Sequence, residues 1–301
     1  MSNGADAFRE AAPAKINLFL HVVGRRPDGK HSIDSLVVFA DVGDVVIVSP
    51  GTDISLTRSG PMAGDLPPVA EDLVLHAATL LAQTTGVTAG ATIEVQKNLP
   101  VASGIGGGSA DAAAAIRALM RLWRVDLPSE QLSSLARELG ADLAVCLANR
   151  PSLVRGVGDQ LSLPGAMAPL YAVLVNPRFA VSTAEVFEVF DATPYTSASP
   201  PAATQEWSSA PHQFAQQLAA CRNDLTDSAL TLCSVIGDVL ARLDAQPECL
   251  LARLSGSGAT CLGLFATEST ARAAAEALGR DNSDWWVAAT QLDTGLDTGE
   301  A

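Results

Sequence analysis

The chain has 301 residues, with 33 Asp and Glu against 19 Lys and Arg, a formal net charge of −14, and 48% hydrophobic against 17% charged residues. This balance excludes a disordered or fibrous chain, and it argues against a duplex-binding protein, which needs a dense basic footprint to displace counterions from phosphates. At roughly 100 to 200 residues per domain, the length predicts two domains.

The start, MSNGADAFREAAPAK, lacks the basic-then-apolar order of a signal peptide, and no apolar run approaches the ~18 to 20 residues of a membrane span. A cytoplasmic protein without membrane or nucleic-acid partners is expected. The residues from Ala14 to Val22 alternate: Ile16, Leu18, Leu20 and Val22 share one face, and Lys15, Asn17, Phe19 and His21 the other, as in a strand with one partly polar face. Turn residues follow at 24–29. The apolar runs 36–39 and 45–48 predict further strands, separated by a turn at Asp41-Val-Gly-Asp44.

Helical spacing appears over 71–83 and again over 109–124, where Ala113, Ile116, Met120 and Trp123 form one stripe, with a strand at 91–95 between them. A helix with Leu132, Leu135 and Leu139 inward is expected to start at the N-cap Ser129 and stop at Gly140. A buried strand at 171–175 and a helix from Ser182 open a second set of elements. The Pro-, Ser-, Thr- and Ala-rich stretch 192–211 predicts a flexible surface loop. A helix over 228–243, strand and loop pieces over 254–265, a helix over 269–278 and a strand at 286–289 complete the α+β pattern, and 293–301 is expected to be a flexible tail. Expected domain bounds are 1–160 and 161–292. Cys146, Cys221, Cys233, Cys249 and Cys261 have no CxxC pair or zinc-ligand spacing, which favours reduced thiols.

Five segments could carry chemistry. In Gly104-Ile-Gly-Gly-Gly-Ser109, bare backbone precedes a helix start, where amides and the helix dipole favour an anion, but the glycine spacing matches neither a Walker A loop nor G-x-G-x-x-G. A structural turn is the alternative. Lys15 and Asn17 project from one strand face, which could equally be a solvated face. Asp142 follows a helix stop beside an apolar stretch, as a reactive carboxylate or an ordinary turn residue would. His31 follows a turn, and Ser255-Gly-Ser-Gly-Ala-Thr260 is a second glycine-rich turn that departs from the G-x-S-x-G elbow.

In their joint order, Pro13-Ala-Lys15-Ile-Asn17-Leu, Gly24-Arg-Arg-Pro-Asp28-Gly-Lys-His31, the glycine loop, Leu139-Gly-Ala-Asp142 and Ser255-Gly-Ser-Gly-Ala-Thr260 resemble the GHMP small-molecule kinases. The resemblance covers roughly residues 14–265. It implies an α+β protein of two domains, ribosomal-protein-like at the N-terminus and ferredoxin-like at the C-terminus, with the active site in the cleft between them. The implied reaction is MgATP-dependent phosphorylation of the 2-hydroxyl of 4-diphosphocytidyl-2-C-methyl-D-erythritol, in the non-mevalonate isoprenoid pathway. Alternatives are a homoserine- or mevalonate-type kinase of the same family, or a non-catalytic nucleotide-binding regulator.

By the same resemblance, Asp142 takes or orients the hydroxyl proton and Lys15 lies beside it. Pro100, Val101, Ala102, Ser103, Gly104, Ile105, Gly106, Gly107, Gly108 and Ser109 form the ATP site, with Ser109 the candidate Mg²⁺ contact. Asn17 places the methylerythritol, and Gly256, Ser257, Gly258 and Thr260 close over the substrate phosphates. His31 hydrogen-bonds the cytosine and Phe187 stacks on it. A monomer or weak homodimer is expected. Lys30 and Ala110 depart from the family pattern, which has Tyr at the first position and commonly Ser at the second.

Overall fold

The computed structural model describes residues 7–193 and 206–295. The described residues form two compact units, the first drawn from residues 7–14, 43–101 and 106–149, the second from 15–42, 102–105, 150–193 and 206–295. The chain enters the second unit at residues 15, 102 and 150: β1 (Phe8–Arg25) runs from the first unit into the second, and β2 (His31–Gly51) runs from the second back into the first.

The turn expected at Asp41–Asp44 is absent, and β2 runs straight through it. Each polar or flexible residue there has a dedicated role. Gly43 admits a close backbone, since a Cβ would stand 2.5 Å from the Ala12 carbonyl oxygen. Asp41 donates its amide to Thr290 Oγ1 at 3.1 Å, and Asp44 Oδ1 accepts the amides of Asn98 and Leu99 at 2.5 and 2.9 Å. Turn composition is thus overridden by tertiary hydrogen bonds.

In the first unit, β3 (Ile54–Ser59) runs parallel to β4 (Gly90–Gln96), with α1 (Leu73–Thr85) as the crossover. Asp72 caps α1 by accepting the Val74 amide, and left-handed Gly86 ends it. β4 pairs antiparallel with the second half of β2, Val48 opposite Ile93. α2 (Gly107–Trp123) packs against α1 and β4, and α3 (Ser129–Leu139) and α4 (Leu143–Ala148) pack against these helices. α2 is buried nearly all round, at Ala110, Ala112 to Ala115, Ile116, Ala118 and Leu119, rather than along one stripe. Its alanines let α1 and α4 pack closely against it. Ser129 is the first residue of α3, and Pro128 occupies the cap position.

In the second unit, the hairpin β5 (Ser152–Gly156) and β6 (Gln160–Ser162) pairs through β5 with the first half of β2. There follow β7 (Leu170–Asn176), α5 (Thr183–Ala192), α6 (Pro211–Ala219), α7 (Thr226–Leu232), α8 (Val235–Asp244), β8 (Leu251–Leu254), β9 (Cys261–Phe265), α9 (Glu268–Asp281) and β10 (Trp286–Asp293). The helix expected over 228–243 is two helices, broken at Cys233 and Ser234. The strands β10, β7, β9 and β8 lie side by side in that order, each pair antiparallel, which is the fourth-first-third-second order of a ferredoxin-like β-α-β-β-α-β sheet. Val173, Val175, Phe265, Ile236 and Leu278 share its core with Cys233 and Cys261. All five cysteines are free thiols, Cys249 half-buried and the others buried.

Residues 194–205 of the expected surface loop lie outside the described residues, and its two ends are ordered. Ala192 closes α5, Pro211 opens α6, and the Trp207 ring lies 5.3 Å from Phe214 and 6.3 Å from Phe19. The expected tail begins inside β10, where Asp293 pairs with Phe39, and Thr294 is buried; residues 296–301 lie outside the described residues. Among the described residues, no helix is long and apolar enough to cross a membrane.

Candidate active site

The glycine-rich loop divides at residue 106. Its first part is held by carbonyls: Ala102 O accepts from Val181 N–H, Ser103 O from Thr260 N–H, Gly104 O from the Ser255 hydroxyl and Ile105 O from Lys15 N–H, at 2.9 to 3.3 Å. Gly104 has φ +76°, and a Cβ there would lie 2.6 Å from Gly258 N and from Ser255 O. This glycine serves packing. From Gly106, left-handed at φ +65°, the chain turns into α2 with no side-chain cap, so the first-turn amides have neither an intrahelical nor a capping acceptor. A Cβ on Gly108 would meet nothing within 4 Å among the described residues. Gly108 is open, exposed backbone at the positive end of a 17-residue helix, and Ser109 follows it. These residues fit a triphosphate.

Beneath Gly107, Lys97 Nζ is sandwiched by two carboxylates, Asp44 Oδ2 and Asp111 Oδ2, the latter at 2.5 Å. All three side chains are buried, and a Gly107 Cβ would stand 3.7 Å from the ammonium. Burial alone would lower the Lys97 pKa, but Asp111 and Asp44 hold it above the ordinary lysine value. Burial raises the Asp111 carboxyl to about 7 against the pull of Lys97, and its Oδ1 has no partner among the described residues. The cluster braces the start of α2 while Asp44 fixes the amides leading into the loop.

Asp142 stands at the cap position of α4, after Gly140, whose φ of +146° ends α3. Its carbonyl accepts the Cys146 amide at 3.1 Å. Lys15 and Asn17 are not on a solvated face: they are 4% and 3% exposed, and Phe19 and His21 beside them are buried too. Lys15 is tied to the loop through its amide and Ile105 O. Asn17 donates Nδ2–H to Ser35 Oγ at 2.8 Å and its own amide to Ser255 Oγ at 3.2 Å. Asn17 Oδ1 has no partner among the described residues and faces Gly256, whose Cβ would stand 3.1 Å away. A buried carbonyl oxygen of this kind has the acceptor capacity that a substrate hydroxyl needs.

The second glycine turn spends several of its groups internally. Gly258 N–H donates to Ser255 O and Thr260 N–H to Ser103 O, while Thr260 Oγ1 accepts from Asn176. Thr260 is fully buried, and a Gly258 Cβ would clash with Leu254 at 2.8 Å. The Ser257 hydroxyl meets Thr183 Oγ1 at 2.8 Å, and Asn223 clamps the turn by donating to Leu254 O and Gly256 O. Elsewhere in the second unit, His31 and Phe187 come together as stacked rings, 4.5 Å apart and 17° from parallel, with Phe190 edge-on. Lys30 is exposed and donates its amide to Asp28 in the turn.

Two family models match, GHMP kinases N terminal domain over residues 72–150 and GHMP kinases C terminal over 210–284. The chain is 50% identical over 286 residues to the 4-diphosphocytidyl-2-C-methyl-D-erythritol kinase of Paramagnetospirillum magneticum, covering 95% of this chain and 99% of that one. The chain belongs to the GHMP kinases. It is also 44% identical to the kinase of the same name from Rhodospirillum rubrum, over 96% of this chain and 93% of the relative. Among solved structures, a 4-(cytidine 5′-diphospho)-2C-methyl-D-erythritol kinase matches with TM-score 0.75 and 30% identity, covering 96% of this chain and all of that one. The homoserine kinase of Cytophaga hutchinsonii matches in fold, with TM-score 0.70 at 20% identity, over 98% and 97% of the two chains.

As a GHMP kinase the protein is a small-molecule kinase that takes its phosphoryl group from ATP. Three features around the candidate residues escape a reading of the sequence: the Asp44–Lys97–Asp111 cluster, Ser35 behind Asn17, and Asp191, whose Oδ1 lies 2.7 Å from His31 Nε2. The signal for the first was present: Lys97 opens the segment that leads into the loop and Asp111 closes it. Nothing local marks Asp191, which pairs with a residue 160 positions away.

Proposed function

We propose that this GHMP kinase transfers the γ-phosphoryl group of ATP to the 2-hydroxyl of 4-diphosphocytidyl-2-C-methyl-D-erythritol, a step of the non-mevalonate route to isopentenyl diphosphate. The observation that carries this reading is 50% identity to a kinase of that name along 95% of the chain. The homoserine and mevalonate kinases, at 20% and 16% identity, speak for the fold alone.

Phosphoryl transfer passes through a loose transition state, so positioning and charge stabilisation dominate. The Gly106–Ser109 amides hold the phosphate oxygens. Asp142 accepts the proton of the substrate hydroxyl as its oxygen bonds to phosphorus and the bond to the ADP oxygen breaks. The Lys15 ammonium offsets charge on the transferring group. Asn17 orients the methylerythritol, His31 and Phe187 receive the base, and Gly256 and Ser257 cover the substrate phosphates. Among the described residues there is no group of three His, Cys, Asp or Glu side chains able to hold a metal. The Ser109 hydroxyl, in the first turn of α2, would be the protein contact of a Mg²⁺ ion, which would supply charge neutralisation at the phosphates. The enzyme is proposed to act in the cytoplasm as a monomer or weak homodimer, without nucleic acid.

The test is ADP release with MgATP and the cytidine substrate, beside homoserine and mevalonate. Release is expected with the cytidine substrate alone; release with another alcohol would discard the substrate assignment. Asp142→Asn is expected to lower kcat by about 10² to 10⁴ while changing ATP affinity little. A near-wild-type kcat would remove Asp142 from the role of base.

A further inference from the structure

His31 opens β2, Asp191 lies on α5, and Arg25 ends β1, and the three meet at one edge of the second unit. His31 Nε2 is 2.7 Å from Asp191 Oδ1, while Arg25 Nη2 lies 3.4 Å from Asp191 Oδ2. The arrangement is directional. An ionised carboxylate only accepts, so the proton of this hydrogen bond sits on Nε2. In the neutral imidazole, Nδ1 is then the ring's acceptor. Phe187 under the ring and Phe190 at its edge restrict its rotation.

We propose that Asp191 is a positioning residue that makes the kinase selective for cytidine over uridine substrates, by holding His31 in the tautomer that presents Nδ1 as an acceptor. This rests on the reading that His31 meets the base. Cytosine offers an exocyclic amine at C4 and uracil a carbonyl oxygen at the same place. An accepting Nδ1 pairs with the amine and opposes the carbonyl, whose lone pairs it would face. A base in the plane of the imidazole would also share the Phe187 face, so one rigid ring sets both the stacking level and the hydrogen-bond code. Lys30, exposed in the preceding turn, offers no ring that could do this instead. Removing Asp191 frees His31 to donate or accept through Nδ1, and discrimination falls.

The experiment compares kcat/KM for 4-diphosphocytidyl- and 4-diphosphouridyl-2-C-methyl-D-erythritol in the wild type, Asp191→Ala and Asp191→Glu, with ¹⁵N spectra of the His31 ring in the absence of substrate. The expected result is that Asp191→Ala narrows the cytidine preference about tenfold. The change should fall on KM more than kcat, with the KM for ATP unmoved, and Asp191→Glu should recover part of the preference. The His31 ¹⁵N signals should report Nε2–H in the wild type and a mixture of tautomers in Asp191→Ala. An unchanged preference in Asp191→Ala, or equal losses with both substrates, would overturn this assignment alone. A wild type that turns over neither substrate would overturn it together with the proposed function.

Discussion

The two halves of the glycine-rich loop are built from the same residue type for opposite reasons. Before residue 106, four successive carbonyls are bonded and Gly104 is required because backbone atoms 2.6 Å from its Cβ position leave no space for a side chain. After it, amides at a helix start have no side-chain cap and, among the described residues, Gly108 has nothing around it to avoid. A glycine hemmed in by the protein supports the fold, whereas a glycine facing open space keeps backbone available to a ligand. The difference separates packed backbone from open backbone within six residues.

The largest effect that could break this comparison lies under the open half. Lys97→Met leaves two buried carboxylates without their cation, and a loss of about 3 to 5 kcal/mol in chemical denaturation is expected. A loss under about 1 kcal/mol would mean that the start of α2 does not rest on the cluster. Next comes Gly104→Ala, which combines a left-handed backbone with the clash against Ser255 and Gly258. The expected cost is about 2 to 5 kcal/mol, read in the same way. A variant as stable as the wild type would return Gly104 to the phosphate site.

A smaller effect separates the units by pH. In the second unit, burial lowers the His21 pKa below its ordinary 6.5, with Nε2 accepting the Arg222 amide. The folded state therefore binds that proton less readily than the unfolded chain, and stability falls as pH drops below about 6.5. In the first unit Asp111 is raised from 3.8 to about 7, so its contribution is present at low pH and is lost as pH rises through 7. The slopes have opposite signs. Melting curves from pH 5 to 8 should show His21→Gln weakening the loss on the acid side and Asp111→Asn weakening the loss on the alkaline side. Identical profiles for the two variants would show that neither group titrates as its surroundings indicate.

Much of this was legible in the sequence. Alternation at 14–22 marks β1, and the glycine loop, Asp142 and the second glycine turn stand out as signals. Three things were not legible, each for a physical reason. Composition at Asp41–Asp44 looks like a turn because the partners that hold it extended, Thr290, Asn98 and Leu99, come from elsewhere in the chain. The polar face of β1 looks solvated because alternation cannot tell water from the buried hydrogen bonds of Asn17. The domain boundary cannot be found by composition when two strands each run through both units. The proposed site residues were recognisable as an ordered set, but which glycine is hemmed in and which is open is decided only by what surrounds each.

The most direct test of that division is Gly108→Ala, followed by melting temperature and by the KM for ATP in the same preparation. Alanine is the better helix former by about 1 kcal/mol, so the melting temperature should hold or rise, while the KM for ATP should increase at least tenfold as a methyl group enters the phosphate site. An unchanged KM would contradict the account, placing the phosphates elsewhere and leaving the open half of the loop without its function.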